Sequence, residues 1–386
     1  MKPASLFRLA SAFPIAVAAL LVCGSPIYGQ RPAGQRTGPR MARAAVTSNL
    51  APDQRSAAAS PLAQAAGTFL TFDAGPCQTP PSFPGCTDPV AINNAGDVLG
   101  YSVDANGLPH GFLRDKSGTF TIFDVPGAVA YSLVFSEGPP GSSLSPSGQA
   151  TGGYFDASGN QHGFVWDHHG AIATFDAPGA VNGTIPLSIN AAGEITGYFF
   201  DAGFLGHGFL RDAHGTVTAF DAPGAGTIAN ACFLGLTYPQ GINAGGKIAG
   251  YYYDPQCNVH GFLRDRNGTF TVVAVPNSAD TFPATINDGG EIAGSVFGVA
   301  GGNAFIRDQN GSFTVFNVPG VRDFGPMDIN APGVVAGSYL DANLVSHGFR
   351  RTADGTLTII DFPGAGTGFL ARISHAPSSK KPLLLA

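Results

Sequence analysis

Five of the nine histidines open the same short phrase, His-Gly-Phe, and a histidine that recurs in one setting can act as a general base or as a metal ligand. They are His110, His162, His207, His260 and His347. A catalytic base is needed once, at one place, so we predict a structural role in which each histidine is hydrogen-bonded within its own copy of the phrase. The alternative is a ring of histidines that binds a metal around a central channel, interrupted where Asn303 replaces histidine in one copy.

Aspartates recur at three other positions of the pattern. The first set is the expected hydrogen-bond partner of the histidines: Asp104, Asp156, Asp201, Asp254 and Asp341. The second set lies before an x-Gly turn (Asp115, Asp212, Asp265, Asp308), and the third before Pro-Gly (Asp124, Asp176, Asp221, Asp361). Side chains of these last two sets can accept hydrogen bonds from turn amides, so we predict that they cap turns. No copy has the spacing of a calcium loop, so no cofactor is expected, and calcium bound by exposed acids is the alternative.

Motifs of familiar enzymes are missing from the sequence. It contains no G-x-S-x-G elbow, no H-E-x-x-H and no phosphate loop. Glu137, Glu194 and Glu291 could serve glycoside chemistry, but Glu194 and Glu291 occupy a turn position and are expected to be solvated. No catalytic residue is assigned, and an enzyme is the less favoured interpretation.

A long internal repeat must position these residues. A unit such as "INAAGEITGYFFDAGFLGHGFLRDAHGTVTAFDAPGA" (189–225) occurs six times, and the His-Gly-Phe position recurs at intervals of 43 to 53 residues. Each unit reads as four short strands joined by Gly-containing turns, with no helix-forming stretch. A period of this length with four antiparallel strands predicts an all-β fold, a β-propeller of four-stranded blades. A β-solenoid fits less well, because it needs short, constant rungs.

Six complete units predict six blades. "GTFLTFDAG" (67–75) resembles a fourth strand, and "ARISHA" (371–376) resembles a first strand. We expect these two end segments to pair and so remove the open edges of the ring. If they instead build a short extra blade, the number is seven.

The repeat resembles the HAF-type extracellular repeat family. The likeness is carried by copies such as "SGQATGGYFDASGNQHGFVWDHHG" (147–170), including Trp166, and covers about residues 90–365. That family usually has His-Ala-Phe, and only Asn303-Ala304-Phe305 keeps the alanine here. The resemblance implies an exported, propeller-like protein. It implies no activity, because the family has no agreed one.

The N-terminus has the pattern of an export signal. Lys2 and Arg8 precede an apolar stretch that is too short to span a bilayer comfortably, and cleavage is expected after Gly29. A lipid anchor at Cys23 is the less favoured alternative. The predicted organisation is a signal peptide (1–29), a flexible Ala/Gly/Pro/Arg linker (30–66), the propeller (67–375) and a C-terminal tail (376–386). No membrane span is predicted, and the expected location is secreted, extracellular or at the cell surface.

Charge and cysteine usage narrow the partners. Residues 67–386 carry 13 basic and 25 acidic residues, a net charge of −12, which argues against nucleic acid as a partner. Four cysteines follow the predicted signal, and an even number in an exported chain favours two disulfides. Three connectivities are available, and local pairing of Cys77 with Cys86, which leaves Cys232 with Cys257, is favoured. Zinc is less expected, because the pairs lack C-x-x-C spacing.

Two insertions interrupt the repeat, at 129–143 and 226–241. Antiparallel strand order places both on the face that carries the turns between second and third strands. Variable loops on a rigid scaffold commonly carry function, although their aromatic residues can also merely pack their own loops. The candidate contact residues are Tyr131, Phe135, Glu137, Phe233, Tyr238 and Arg322. We therefore predict a monomeric module that binds an extracellular glycan or protein through this face. A secreted hydrolase or lyase with its active site at the channel mouth is the alternative.

Overall fold

The protein is an all-β, six-bladed β-propeller, as predicted. The computed structural model describes residues 63–64, 69–74, 87–104, 108–131, 143–226, 237–298, 304–317, 321–341, 343 and 345–361. Within these ranges the chain forms six sheets with four consecutive antiparallel strands each, and it contains no helix. The predicted signal peptide, most of the predicted linker and the predicted tail lie outside the described residues.

Each blade is one sheet whose strands follow chain order. The strands of blades one to three are Thr87–Ile92, Val98–Val103, Pro109–Arg114 and Phe120–Phe123; Ala130–Tyr131, Ala150–Phe155, Gln161–Trp166 and Ile172–Phe175; and Thr184–Ile189, Ile195–Phe200, Gly206–Arg211 and Val217–Phe220. Those of blades four to six are Thr237–Ile242, Ile248–Tyr253, Val259–Arg264 and Phe270–Val273; Asp280–Ile286, Ile292–Phe297, Ala304–Arg307 and Phe313–Phe316; and Val321–Ile329, Val335–Asp341, Ser346–Arg351 and Leu357–Ile360.

First strands lie nearest the axis and fourth strands lie at the rim. The first strands of blades three, four, five and six contact one another in succession. In blade three the first strand is completely buried, whereas the two middle residues of the fourth strand are exposed. Turns between first and second strands, and between third and fourth strands, therefore share one face, which we call the turn face. Turns between second and third strands and the links between blades share the other, which we call the connection face.

The central Gly-Phe of the repeated phrase is explained by packing between blades. The phenylalanine is almost completely buried in every blade: Phe112, Phe164, Phe209, Phe262, Phe305 and Phe349. The preceding glycine leaves room for its neighbours. A Cβ on Gly208 would lie 2.7 Å from the ring of Phe220 and 2.9 Å from Pro239 in the next blade. A methyl group there would overpack the seam between the two blades.

In blades three, four and six the arginine of the phrase lies over an aromatic ring of the preceding blade. The guanidinium carbon of Arg211 is 5.1 Å from the ring centre of Phe175, and that of Arg264 is 4.7 Å from Phe220. Such cation–π contacts stabilise a seam without a second charge. Trp166 takes the place of this arginine in blade two and stacks on Phe123 at 4.4 Å. The sequence pattern therefore encodes contacts between blades as well as within them.

Asparagines at the ends of first strands tie neighbouring blades together on the turn face. The Oδ1 atom of Asn243 accepts hydrogen bonds from the backbone N–H groups of Gly245 and Lys247. Its Nδ2 donates to the carbonyl of the corresponding Asn287 in blade five, at 3.1 Å. Equivalent bonds join blade one to two, three to four and five to six. The left-handed residue of these turns is the glycine, for example Gly246 with φ 75°, so the asparagine serves as a cap and not as the left-handed residue.

The N-terminal segment packs at the seam before blade one. Phe72 contacts Phe112 and Phe120, with Arg114 5.0 Å from its ring centre. At the seams before blades two, three, four and six a fourth-strand phenylalanine of the preceding blade takes this position, so Phe72 acts as the equivalent of a fourth-strand residue. Ala63–Gln64, inside the predicted linker, pairs in parallel with the fourth strand of blade six. Residues 371–376 lie outside the described residues, so their pairing with 67–75 remains a prediction.

Candidate functional site

Four of the five repeated histidines lie between two aspartates of their own blade, on the connection face. The Nδ1 atom of His162 is 2.9 Å from Asp176 at the end of the fourth strand, and its Nε2 is 3.5 Å from Asp156 at the end of the second. His110, His207 and His347 repeat these contacts at 2.7–2.9 Å and 3.6–3.7 Å. The expected second-strand aspartate is present. The shorter contact, however, is with the fourth-strand aspartate, which the sequence pattern assigns to turn capping.

The second-strand aspartate caps its own turn with one carboxylate oxygen and contacts the histidine with the other. In Asp156, Oδ1 accepts hydrogen bonds from the N–H groups of Ser158 and Asn160, while Oδ2 faces the histidine. Hydrogen bonds, led by the one from the Asn160 backbone, lower the pKa of Asp156. Burial alone would depress the pKa of His162, but the carboxylates of Asp176 and Asp156 outweigh it and raise that pKa. A neutral imidazole has one N–H to donate, which accounts for one short and one longer contact.

Two blades depart from this arrangement. Ala274 replaces the fourth-strand aspartate in blade four, and His260 turns its Nε2 to within 2.9 Å of Asp254. Burial would raise the pKa of Asp254, but hydrogen bonds from Asn258 and His260 hold it at about 2. In blade five the second strand ends in Phe297-Gly298 without an aspartate, and Asn317 replaces the fourth-strand aspartate. Asn303, which replaces the histidine there, lies outside the described residues. Blade five thus differs in sequence at all three positions, whereas blade four keeps the histidine and the second-strand aspartate.

These histidines are hydrogen-bonded within their own blades, which is the arrangement expected of a structural role. They stand on the third strands of five of the six blades, away from the first strands that line the axis, and so do not converge on the channel as a metal-binding ring would require. Among the described residues, no group of three or more histidine, cysteine or acidic side chains is arranged to hold a metal ion. The x-Gly aspartates do cap their turns: Asp115 accepts hydrogen bonds from the N–H groups of Ser117 and Thr119.

Glu194 is buried, so its interpretation as solvated surface is wrong. Its side chain is 11 % exposed and forms an ion pair with Arg266, which lies in the turn between third and fourth strands of blade four. Asn190 donates a second hydrogen bond to it at 2.7 Å. Single-sequence reasoning misses this contact because the partner lies 72 residues away. Glu291 similarly accepts a hydrogen bond from Asn287. Glu137 lies outside the described residues.

Aromatic side chains form a continuous band on the connection face across blades three, four and five. Its members, which we call the aromatic band, are Tyr198, Phe200, Tyr238, Tyr251, Tyr253, Phe282 and Phe297. Ring centres are 4.9 Å apart for Tyr198 and Tyr238, 5.2 Å for Tyr238 and Tyr251, and 5.2 Å for Tyr251 and Phe282. All seven side chains are partly exposed. They lie where first strands begin and second strands end, toward the axis of the propeller.

The aromatic band is not a requirement of the blade. Strand pairing defines the positions equivalent to Tyr238 as Asp88, Ile185, Phe282 and Gly325. It defines those equivalent to Tyr198 as Tyr101, Gly153, Tyr251, Ser295 and Ser338. In blade one the pair is polar, since the Tyr101 hydroxyl donates to Asp88 at 2.9 Å. Blades therefore fold with Gly, Ser, Asp or Ile at these positions, and the band is a local departure from a symmetric scaffold.

The structure brings one predicted contact residue, Tyr238, into this band. Tyr238 belongs to the first strand of blade four and not to an insertion, because the strand begins at Thr237. Tyr131 likewise lies in the short first strand of blade two, and Arg322 in the first strand of blade six. Phe135, Glu137 and Phe233 lie outside the described residues. The other band members have no distinctive sequence signal, and Phe200, Tyr253 and Phe297 share their strand position with Phe155 of blade two.

The turns between second and third strands carry two unusual residues on the same face. Phe204 and Cys257 adopt left-handed backbone, with φ of 61° and 66°, where blade two has Gly159 with φ 83°. Phe204 is also 44 % exposed. A bulky residue in this conformation is strained, and strain of this kind often accompanies function. Cys257 is disulfide-bonded. Cys77, Cys86 and Cys232 lie outside the described residues, so the predicted pairings remain predictions.

Comparisons with known proteins give distant structural likenesses only. The sequence matches no known family model and no curated protein. Among solved structures, it is similar to TolB from Acinetobacter baumannii, at 18 % identity and a TM-score of 0.39 over 58 % of this chain and 52 % of that one. It is similar to a prolyl endopeptidase, at 11 % identity and a TM-score of 0.49 over 72 % of this chain and 43 % of the endopeptidase. It is also similar to a lectin from Aleuria aurantia, at 13 % identity and a TM-score of 0.37 over 72 % of this chain and 96 % of the lectin.

These likenesses are distant, and the fold is defined by the chain's own six sheets of four consecutive strands. The chain is a six-bladed β-propeller, and the Aleuria aurantia lectin has the same fold. The present chain spans about half the length of TolB and a smaller share, 43 %, of the length of the prolyl endopeptidase. In the part of the chain that the structure describes, there is no helix of the length and apolar character needed to cross a bilayer.

Proposed function

We propose that this propeller is an exported binding module that takes an extracellular glycan or protein on its connection face. The observation that carries the proposal is the aromatic band, which breaks the internal symmetry of the blades in three neighbouring units. Residues that a repeated scaffold does not need are the ones most open to selection for binding. Partly exposed aromatic rings are also enriched at binding surfaces, because they supply large contact area with little loss of side-chain entropy.

A ligand screen with the exported chain, beginning at Gln30, tests this function. It should bind members of a glycan array or of an extracellular protein fraction, and binding should fall with Tyr238→Ile together with Tyr251→Ser. Both replacements occur naturally at equivalent positions, Ile185 and Ser295, so the blades should tolerate them. Tyr101→Ser, at the equivalent position outside the band, is the matched control. Binding that the double variant leaves unchanged would rule out this face. Turnover of a bound polysaccharide would favour the hydrolase or lyase alternative.

Export and disulfide formation are parts of the same proposal. The basic, then apolar, N-terminal pattern supports secretion with cleavage after Gly29, and the resemblance to HAF-type repeats supports an extracellular setting. Intact mass of the chain exported by a bacterial host distinguishes cleavage before Gln30 from a lipidated Cys23. Peptide mapping without reduction tests the pairings Cys77–Cys86 and Cys232–Cys257. A Cys257 linked to Cys77 or Cys86 would overturn the proposed connectivity.

A further inference from the structure

The chemistry of the aromatic band narrows the ligand class, and this step rests on the binding function proposed above. We propose that the band is a stacking platform for an extended, uncharged glycan whose successive sugar rings lie across blades three, four and five.

The rings suit the faces of sugars. Four of the seven members are tyrosines: Tyr198, Tyr238, Tyr251 and Tyr253. A pyranose presents a face of C–H groups bordered by hydroxyls, and a tyrosine presents an apolar ring with a polar edge. Sites for small ligands combine aromatic walls with a few polar groups in this way. A purely aliphatic partner would gain nothing from the tyrosine hydroxyls, so the composition favours a ligand with both kinds of surface.

Charge around the band excludes acidic ligands. Asp201 follows Phe200 directly, and Asp254 follows Tyr253, so carboxylates border the band at the ends of two second strands. Both are strongly ionised, since hydrogen bonds, first of all from the Leu205 backbone, lower the pKa of Asp201 and that of Asp254 is about 2. Residues 67–386 as a whole carry a net charge of −12. Uronate or sulfated glycans would be repelled, whereas neutral ones meet no such penalty.

The extent of the band favours a chain of sugars over a single one. Phe200 and Tyr198 belong to blade three, Tyr238 and Tyr251 to blade four, and Phe282 to blade five. A monosaccharide can contact only part of this row. A linear glycan can place rings on successive blades, and each added contact increases affinity until the row is filled. Affinity should therefore rise with chain length.

Calorimetry with the exported chain tests this proposal. The probes are neutral gluco-, xylo- and manno-oligosaccharides of two to six units, a neutral glycan array, and oligogalacturonates as the anionic comparison. We expect a hexamer of one neutral series to bind at least about tenfold more tightly than its dimer. Tyr198→Ser and Phe282→Ile should each weaken the hexamer by about tenfold, the usual effect of truncating an aromatic anchor. Tyr101→Ser should bind as the unmodified chain does. Circular dichroism and the fluorescence of Trp166, the single tryptophan, verify that each variant is folded.

The outcomes separate this inference from the broader function. Band-dependent binding of a protein or of an anionic glycan, without neutral glycan binding, would overturn the ligand class and leave the binding module standing. Equal affinity for dimer and hexamer would overturn the extended platform. Neutral glycan binding that is unchanged in Tyr198→Ser and Phe282→Ile would place the ligand elsewhere. Failure to bind any glycan or protein through this face would remove the proposed function itself.

Discussion

The side-chain amide of Asn243 donates a hydrogen bond to the backbone carbonyl of Asn287, 3.1 Å away in the next blade, while its Oδ1 caps its own turn. Asn243→Ala should therefore lower the free energy of unfolding by about 2–4 kcal/mol, because it leaves a buried carbonyl and turn amides without partners. Urea unfolding followed by Trp166 fluorescence measures this change.

Asn243→Ser is the informative control, because Ser145 fills the same position in blade two and its Oγ accepts a hydrogen bond from the N–H of Gln149. The serine should keep the cap and lose only the link between blades. We expect a loss of about 1 kcal/mol. Equal losses for the alanine and serine variants would show that the link, and not the cap, supplies the stability.

Phe72 should be essential for holding blade one. Its ring contacts the rings of Phe112 and Phe120, and the guanidinium of Arg114 lies over it. At other seams a phenylalanine from the fourth strand of the preceding blade occupies this position. Phe72→Ala should cost about 2–4 kcal/mol, since it removes a large ring from a packed seam. Hydrogen exchange should rise first in blade one. Phe175→Ala, at the equivalent seam between blades two and three, is the control, and it should loosen blade three and not blade one.

The propeller could be predicted from sequence because the same pattern of strands and turns occurs in six successive units. Turn glycines, alternating strands and the period near 45 residues all favour one architecture. The role of His162 could be predicted only in part, because its shorter contact is with Asp176 and not with Asp156. Each aspartate keeps its own constant interval from the histidine from blade to blade, so spacing alone does not show which contact is the shorter. The burial of Glu194 escaped prediction because its partner is contributed by the next blade.

The aromatic band shows a second limit of sequence reasoning. Attention to insertions selected Tyr238, whose neighbours Tyr198 and Tyr251 lie in regular strands and match the general aromatic character of the repeat. Only strand register shows that the equivalent positions hold Ser295 and Ser338 in other blades. Single-residue departures inside a repeat are therefore as informative as the insertions between repeats.

The pKa of His162 should depend on Asp176. The two carboxylates raise this pKa above 6.5, so the interaction contributes stability that is fully present below pH 6.5 and is lost as pH rises through the folded-state pKa. NMR titration of the full chain should show Asp176→Asn lowering the pKa of His162. The effect on stability should stay below about 1 kcal/mol, because the side chain of Asp176 is half exposed. An unchanged pKa would show that the short contact contributes no electrostatic stabilisation.

Asp328, in the first strand of blade six, should lower the stability of the folded protein at neutral pH, because its carboxylate must ionise in a buried position. Burial raises its pKa to about 6, although the Ile329 N–H and the Thr285 hydroxyl both donate to Oδ1. The folded protein therefore binds this proton more tightly than the unfolded chain does, and stability falls as pH rises from about 4 to about 6. Asp328→Asn keeps the acceptor oxygen and removes the charge. At pH 7.5 it should be more stable than the unmodified chain, by at most about 3 kcal/mol. The difference should vanish near pH 4, and a gain that is equal at both pH values would show that packing, and not ionisation, is responsible.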